Sequence, residues 1–176
     1  MKRKATSIAL VFVACFTLAA YSFLPDYLTG KMKKHVVKIF GSEITYSEHP
    51  IADSLAINHQ LFNVLKGDSL IGYSIISRAL GCQIGGCDKP QSDSIAFEQF
   101  FFMTAFDAEK HIKKVRILEY TSDHGYQIAN KGWLRQFEEG EYFEVGKNVD
   151  AISGATISVN SITKEVNNQL QILQAN

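Results

Sequence analysis

The chain has 176 residues, 46% of them hydrophobic, and carries 18 Lys plus Arg against 18 Asp plus Glu. That content suits one domain of ordinary size and excludes disorder for most of the chain, and the zero formal charge argues against a general nucleic-acid binder, which carries a basic excess. The zero averages two unlike parts: seven basic residues and only Asp26 fall in the first 38 positions, leaving eleven basic and seventeen acidic residues downstream, a net of −6.

Lys2-Arg3-Lys4 precede an unbroken stretch from Ala5 to Leu24 without charge, Gly or Pro, closed by Pro25 and Asp26. At 1.5 Å per residue, roughly 20 residues cover about 30 Å, the thickness of a hydrocarbon core. The stretch predicts one N-terminal transmembrane helix, with residues 1–28 acting as a signal anchor. Cleavage after Ala19 or Ala20 would place Thr17 or Leu18 where a secretory site needs a small residue. Cys15 reads as a small apolar residue of the span, because apolar residues continue well beyond it. Lys31, Lys33, Lys34 and Lys38 compete with the three leading basic residues for orientation. A short basic N-terminus ahead of the only apolar segment behaves as a signal anchor, which places the body outside the cytoplasmic membrane.

Residues 29–66 read as a connector and a helix. Lys31 to Tyr46 alternates only weakly and reads as a connector with room for one short helix, whereas Ile51, Leu55, Phe62 and Leu65 fall on one helical face that Lys66-Gly67-Asp68 stops. Leu70 to Ile76 predicts a strand, and Phe97 to Phe106 and Ile112 to Tyr120 predict two more, joined as a hairpin by Asp107-Ala108-Glu109-Lys110. Val115, Ile117 and Glu119 alternate with Arg116, Leu118 and Tyr120, so one sheet face is expected to be half-wet. After the loop Thr121 to Gly125, Tyr126, Ala129, Trp133 and Phe137 form a helical stripe that the acidic stretch from Glu138 to Glu144 ends. Val159, Ile162, Val166, Leu170 and Leu173 give the last helix a core-facing side. The expected fold class is α+β, a mostly antiparallel sheet with flanking helices, preceded by the transmembrane helix.

Asp150-Ala151-Ile152-Ser153-Gly154-Ala155-Thr156 stands immediately before that last helix. Gly154 permits tight backbone geometry, Ser153 can cap, and Ala155 adds no bulk, so backbone N–H groups converge beside the Thr156 hydroxyl. A helix N-terminus of this kind favours a phosphate, although a capped turn before a helix is also a common structural device.

The same seven residues resemble the flavinylation motif of the FMN-binding domain family, whose members include covalent-FMN subunits of sodium-translocating NADH:quinone reductase and of the Rnf electron-transport complex. The resemblance implies that Thr156 carries FMN through a phosphoester, attached by an ApbE-type flavin transferase that takes FMN from FAD outside the cytoplasm. Ser153, Gly154 and Ala155 would cradle the phosphate, and Asp150 would belong to the segment the transferase recognises. A wider likeness runs from Gly67 to Leu170: Leu70-Ile71-Gly72-Tyr73 resembles the family's Gly-Tyr strand, and Trp133 to Phe137 its segment upstream of the motif. It implies an FMN-binding domain over 67–176. The sequence departs from the family pattern where Thr121 to Tyr126 replaces a Glu-Thr-Pro-Gly-Leu-Gly loop, and where the turn Asp107 to Lys110 lacks the usual Gly. His124 and Tyr126 are candidate ring contacts, with a solvent-facing His and a core Tyr as the alternative. Trp133 could flank the ring, or lie in the core with its stripe.

Cys82 and Cys87 bracket the glycine-rich Gln83-Ile84-Gly85-Gly86. In an oxidising compartment they suit a small disulfide loop, read as a staple, with a redox-active relay as the alternative. The reading as a whole is a membrane-anchored, extracytoplasmic flavoprotein that relays electrons between a membrane redox donor or partner subunits and an acceptor. A stand-alone flavin reductase and a cofactor-free anchored binding module are the alternatives.

Overall fold

The computed structural model describes residues 24–52, 55, 57–84, 97–121, 124–138 and 140–175. The anticipated transmembrane helix lies outside them except for Leu24, and among the described residues no helix is long and apolar enough to cross a membrane.

Among the described residues, the elements begin with α1 (Asp26–Phe40) and continue through β1 (Thr45–His49), β2 (His59–Lys66), β3 (Ser69–Gln83), β4 (Phe97–Asp107) and β5 (Ile112–Tyr120). The five strands pair antiparallel in chain order, each with the next. A 3₁₀ turn at Tyr126–Ala129, the one-turn helix α2 (Lys131–Leu134), a second 3₁₀ turn at Arg135–Phe137 and the long helix α3 (Thr156–Ala175) complete the α+β fold.

The sheet is the middle of three layers. On one face, Val159, Ile162 and Val166 of α3 pack against Ile75, Phe100, Phe102 and Phe106. On the other, Leu28, Met32 and Val36 of α1 pack against Phe62, Val64, Ile76 and Met103. Strand β4 shows why: Phe100 and Phe102 face α3 while Met103 and Ala105 face α1, the period-2 pattern of a strand buried on both sides. On β5 the expected half-wet side is covered in part by α1, with Leu118 in the α1-side core and Arg116 half-buried, and that helix lies in the weakly patterned connector. Gly72 marks how closely that layer sits, because a Cβ there would collide with the Phe106 carbonyl and approach the Phe40 ring at 2.9 Å.

Three local expectations are corrected. The helical pattern read from Ile51 to Leu65 does not extend past residue 58, since His59–Lys66 is strand β2, in which Leu61 faces α3 while Phe62 and Val64 face α1. In β5 a register shift at Phe101/Phe102 pairs Phe101 with Glu119 and Phe102 with Ile117. Leu118 and Glu119 both end on the α1 side, where Glu119 accepts hydrogen bonds from Tyr27 Oη and Lys31 Nζ, each at 2.6 Å. The stripe Tyr126 to Phe137 breaks into short turns because Asn130 restarts the chain, its Oδ1 accepting from the N–H groups of Gly132 (2.8 Å) and Trp133 (3.2 Å). In the β4–β5 turn, Lys110 holds the left-handed conformation (φ 71°) that a Gly would adopt freely, and its Nζ donates to the Leu173 carbonyl at the end of α3.

Candidate functional site

Thr156 is the first residue of α3 and is exposed. Ala155 occupies the capping position: its carbonyl accepts from the Val159 N–H at 2.9 Å, and its own N–H donates to the Ile152 carbonyl at 3.1 Å. Its methyl has no oxygen to offer the first-turn N–H groups, and among the described residues no side chain is seen to cap them. The cap expected of Ser153 is thus not made at that position. Gly154 adopts φ +77°, and a Cβ placed on it would meet nothing within 4 Å, which leaves the backbone open in front of the helix. Asn160, one turn further, donates from Nδ2 to the Thr156 carbonyl at 3.0 Å. It also opens a groove of about 350 Å³ that runs along α3 beneath Tyr142.

The motif is held from behind by the segment that precedes it. The Trp133 indole N–H donates to the Asp150 carbonyl at 2.9 Å, and the Asp150 N–H donates to Gln136 Oε1 at 2.7 Å. Trp133 also packs edge-on against Phe137, with centroids 5.5 Å apart. The half-buried ring packs against the core cluster, and the polar edge of the indole fixes the position of the loop. Upstream, Asn167 of α3 holds both the N–H and the carbonyl of Phe143, at 2.9 and 2.8 Å. The loop is therefore tied to the helix that it precedes.

The loop before the first 3₁₀ turn lies against the same end of α3. Tyr120 Oη donates to the His124 carbonyl at 2.6 Å and lies 2.9 Å from Ser158 Oγ, which donates to it. Gly125 (φ +81°) fits between them, since a Cβ there would lie 2.5 Å from Tyr120 Oη and 2.7 Å from Ser158 Oγ. His124 is exposed, and Tyr126 is 60% exposed rather than buried in the core. Both therefore stand on the rim beside the first turn of the helix. The end of β3 reaches the next turn, where the Leu80 N–H donates to Ser161 Oγ at 2.8 Å. Cys82, two residues on, is buried and disulfide-bonded. Cys87 and Cys15 lie outside the described residues.

Sequence reasoning missed Gln136, Tyr120 and Ser158 as supports of the motif. Gly125 was the available signal, because a Gly between two aromatic residues marks close backbone approach. It also missed a polar cluster beneath α3. His59 Nδ1 lies 2.6 Å from Ser77 Oγ, Gln169 Nε2 donates to the same oxygen at 2.7 Å, and His59 Nε2 lies 3.2 Å from Glu165 Oε2. The bonding closes when His59 Nε2 donates to Glu165 and the Ser77 hydroxyl is shared between His59 Nδ1 and Gln169. The trio has the composition of a hydrolase triad, but Ser77 and Gln169 are wholly buried and no substrate could reach the hydroxyl. The cluster fixes α3 to the sheet. Burial alone would push the Glu165 carboxyl up, yet hydrogen bonds from His59 and Asn168, with the charges of His59 and Lys164, hold it below the ordinary glutamate value.

These features fit a phosphate ester at Thr156: an exposed hydroxyl, an uncapped helix start, an open glycine turn, and space alongside. The FMN-binding domain family matches residues 98–171, from β4 into α3. The match spans the hairpin, the rim loop, the supporting turns and the whole motif, and it bears out the resemblance read from the sequence over those residues. No curated protein matches the chain.

Proposed function

Given an FMN-binding domain over residues 98–171, we propose that this chain is a membrane-anchored, extracytoplasmic flavoprotein that carries FMN covalently on Thr156 and passes electrons between redox partners. The observation that carries the reading is the exposed Thr156 hydroxyl at the uncapped start of α3 within a motif of the matched family. Bound there, FMN would supply one- and two-electron chemistry at a fixed place. The protein's own contribution is positional. The first-turn N–H groups and the helix dipole favour the phosphate charge, Trp133 and Gln136 hold the loop, and the His124 and Tyr126 rim borders the site.

Attachment is written as a transfer from FAD. The Thr156 hydroxyl forms an O–P bond to the FMN phosphorus, the pyrophosphate bond of FAD breaks, AMP leaves, and the hydroxyl proton passes to the ApbE-type transferase or to solvent. Transfer outside the cytoplasm agrees with the apolar stretch Ala5 to Leu24 and with a disulfide at Cys82. A covalent link also has a physical rationale there, because a dissociable cofactor would be lost into a large volume.

The test is co-expression with an ApbE-type transferase in a bacterial host, with an export-dependent reporter fused after Asn176. The proposal expects flavin absorbance to survive denaturation and washing, and it expects an active reporter. Flavin lost on denaturation would remove the covalent link, and activity of a cytoplasm-only reporter would remove the extracytoplasmic placement.

A further inference from the structure

Helix α1 has two faces of unlike chemistry. Leu28, Met32 and Val36 are buried against the sheet, while Lys33, Lys34, Val37 and Lys38 are exposed, Lys33 with its ammonium 5.4 Å from the Tyr46 ring centroid. Tyr27 and Lys31 do not belong to the outer face in the same way, since both hydrogen-bond Glu119 of β5 at 2.6 Å. The outer face therefore presents three lysines and a valine, the composition of a surface that sits among lipid headgroups.

The connection to the apolar stretch leaves no slack. Leu24, the last residue of that stretch, is 4% exposed and packs in the α1-side core with Leu28 and Met32, and only Pro25 separates it from the helix. A body tied this closely to a membrane span cannot stand away from the bilayer on a tether. The layer next to the span is the α1 layer. Beyond residue 38 the chain carries a net charge of −6, so an anionic bilayer would repel most of the body and attract this face.

From the buried Leu24, the basic outer face and the acidic remainder, we infer that α1 lies on an anionic phospholipid surface through Lys33, Lys34 and Lys38. The inference rests on the membrane-anchored reading above. It has a consequence for the redox role: α3 packs on the opposite face of the sheet from α1, so Thr156 belongs to the layer away from the bilayer. Electron exchange at that site is then with a partner that reaches over the membrane surface, not with a carrier dissolved in the lipid.

The experiment reconstitutes the full chain in nanodiscs of phosphatidylcholine alone and of phosphatidylcholine with phosphatidylglycerol, and measures amine labelling of each lysine by mass spectrometry. In the anionic discs, labelling of Lys33, Lys34 and Lys38 should slow by about fivefold or more, the factor expected for each lysine near an anionic surface. Salt of about 0.5 M should reverse the effect, while Lys147, exposed on the loop before the motif, should label equally in both discs. Equal labelling of the three lysines in the two lipids, with the chain still in the disc after an alkaline wash, would overturn the inference and leave the anchor standing. Protection that ignores lipid charge and follows protein density would assign the face to a second copy and overturn it too. Loss of the chain from the disc in the wash would overturn the anchored reading and the inference with it.

Discussion

The indole N–H of Trp133 donates to the carbonyl of Asp150 at 2.9 Å, joining a one-turn helix to the first residue of the motif that ends at Thr156. The bond fixes a loop whose sequence has little bulk of its own. Under the proposed function, a transferase acting on this segment would meet a backbone already held in place and would not bear the cost of ordering it.

Trp133→Phe tests this directly. The ring is kept and the donor is removed, so the melting temperature should fall by only a few degrees, for a loss of about 1 kcal/mol. The rate of flavin attachment by the transferase should fall several-fold. An unchanged attachment rate would show that the bond shapes the fold and not the acceptor loop.

Gly125→Ala should be costlier. It places a methyl 2.5 Å from Tyr120 Oη and 2.7 Å from Ser158 Oγ, at a backbone φ of +81°. The expected loss is about 1–3 kcal/mol, with a lower flavin content after co-expression, because Ser158 lies in the first turn of α3. Denaturant melts and the ratio of flavin to protein absorbance measure the two effects.

Much of this arrangement is legible in the sequence. The terminal helix shows its buried side in Val159, Ile162, Val166, Leu170 and Leu173, and the hairpin of β4 and β5 stands out by two apolar runs around a polar turn. The motif stands out because a contiguous segment keeps its meaning without tertiary context. Periodicity fails over short or doubly buried elements. Phe62 and Leu65 fit a helical face by spacing alone although they lie in a strand, and β2, covered on both sides, shows no clean alternation. α1 is hidden because its lysines interrupt the apolar pattern from the solvent side. The bulge at Leu118 cannot be read from composition, since either parity leaves an apolar residue on each face. The supports of the motif, Gln136 and the Tyr120–Ser158 pair, arise from contacts across the fold.

Ser77→Ala should unpair two buried groups at once, His59 Nδ1 and the Gln169 amide. The expected loss is about 1–3 kcal/mol in a denaturant melt. Flavin attachment at Thr156 should persist under native conditions, because the cluster lies further along α3 than the motif. A stability equal to that of the parent would remove the cluster's role in holding α3.

The pH dependence follows from two glutamates. Hydrogen bonds from Lys31 and Tyr27 hold Glu119 below the ordinary glutamate value near 4.5, against a smaller opposing effect of burial, and Glu165 is also held low. A depressed carboxyl stabilises the fold above its unfolded-state pKa, and that stability is lost as pH falls through the lower folded value. The melting temperature should therefore be insensitive to these groups at neutral pH and fall below about pH 4.5. Glu119→Gln should cost about 0.5–1 kcal/mol at pH 7 and make the acid loss shallower. An equally steep acid loss in the variant would show that Glu119 does not contribute to it.

A phosphoester on Thr156 is the central claim, and the intact mass of the mature chain after co-expression with an ApbE-type transferase tests it most directly. The parent should be heavier than its unmodified form by one FMN less one water, and Thr156→Val, which removes the hydroxyl and keeps the branched shape, should show no increment while folding as the parent does. A parent without the increment, or a Thr156→Val chain that carries it, would contradict the assignment.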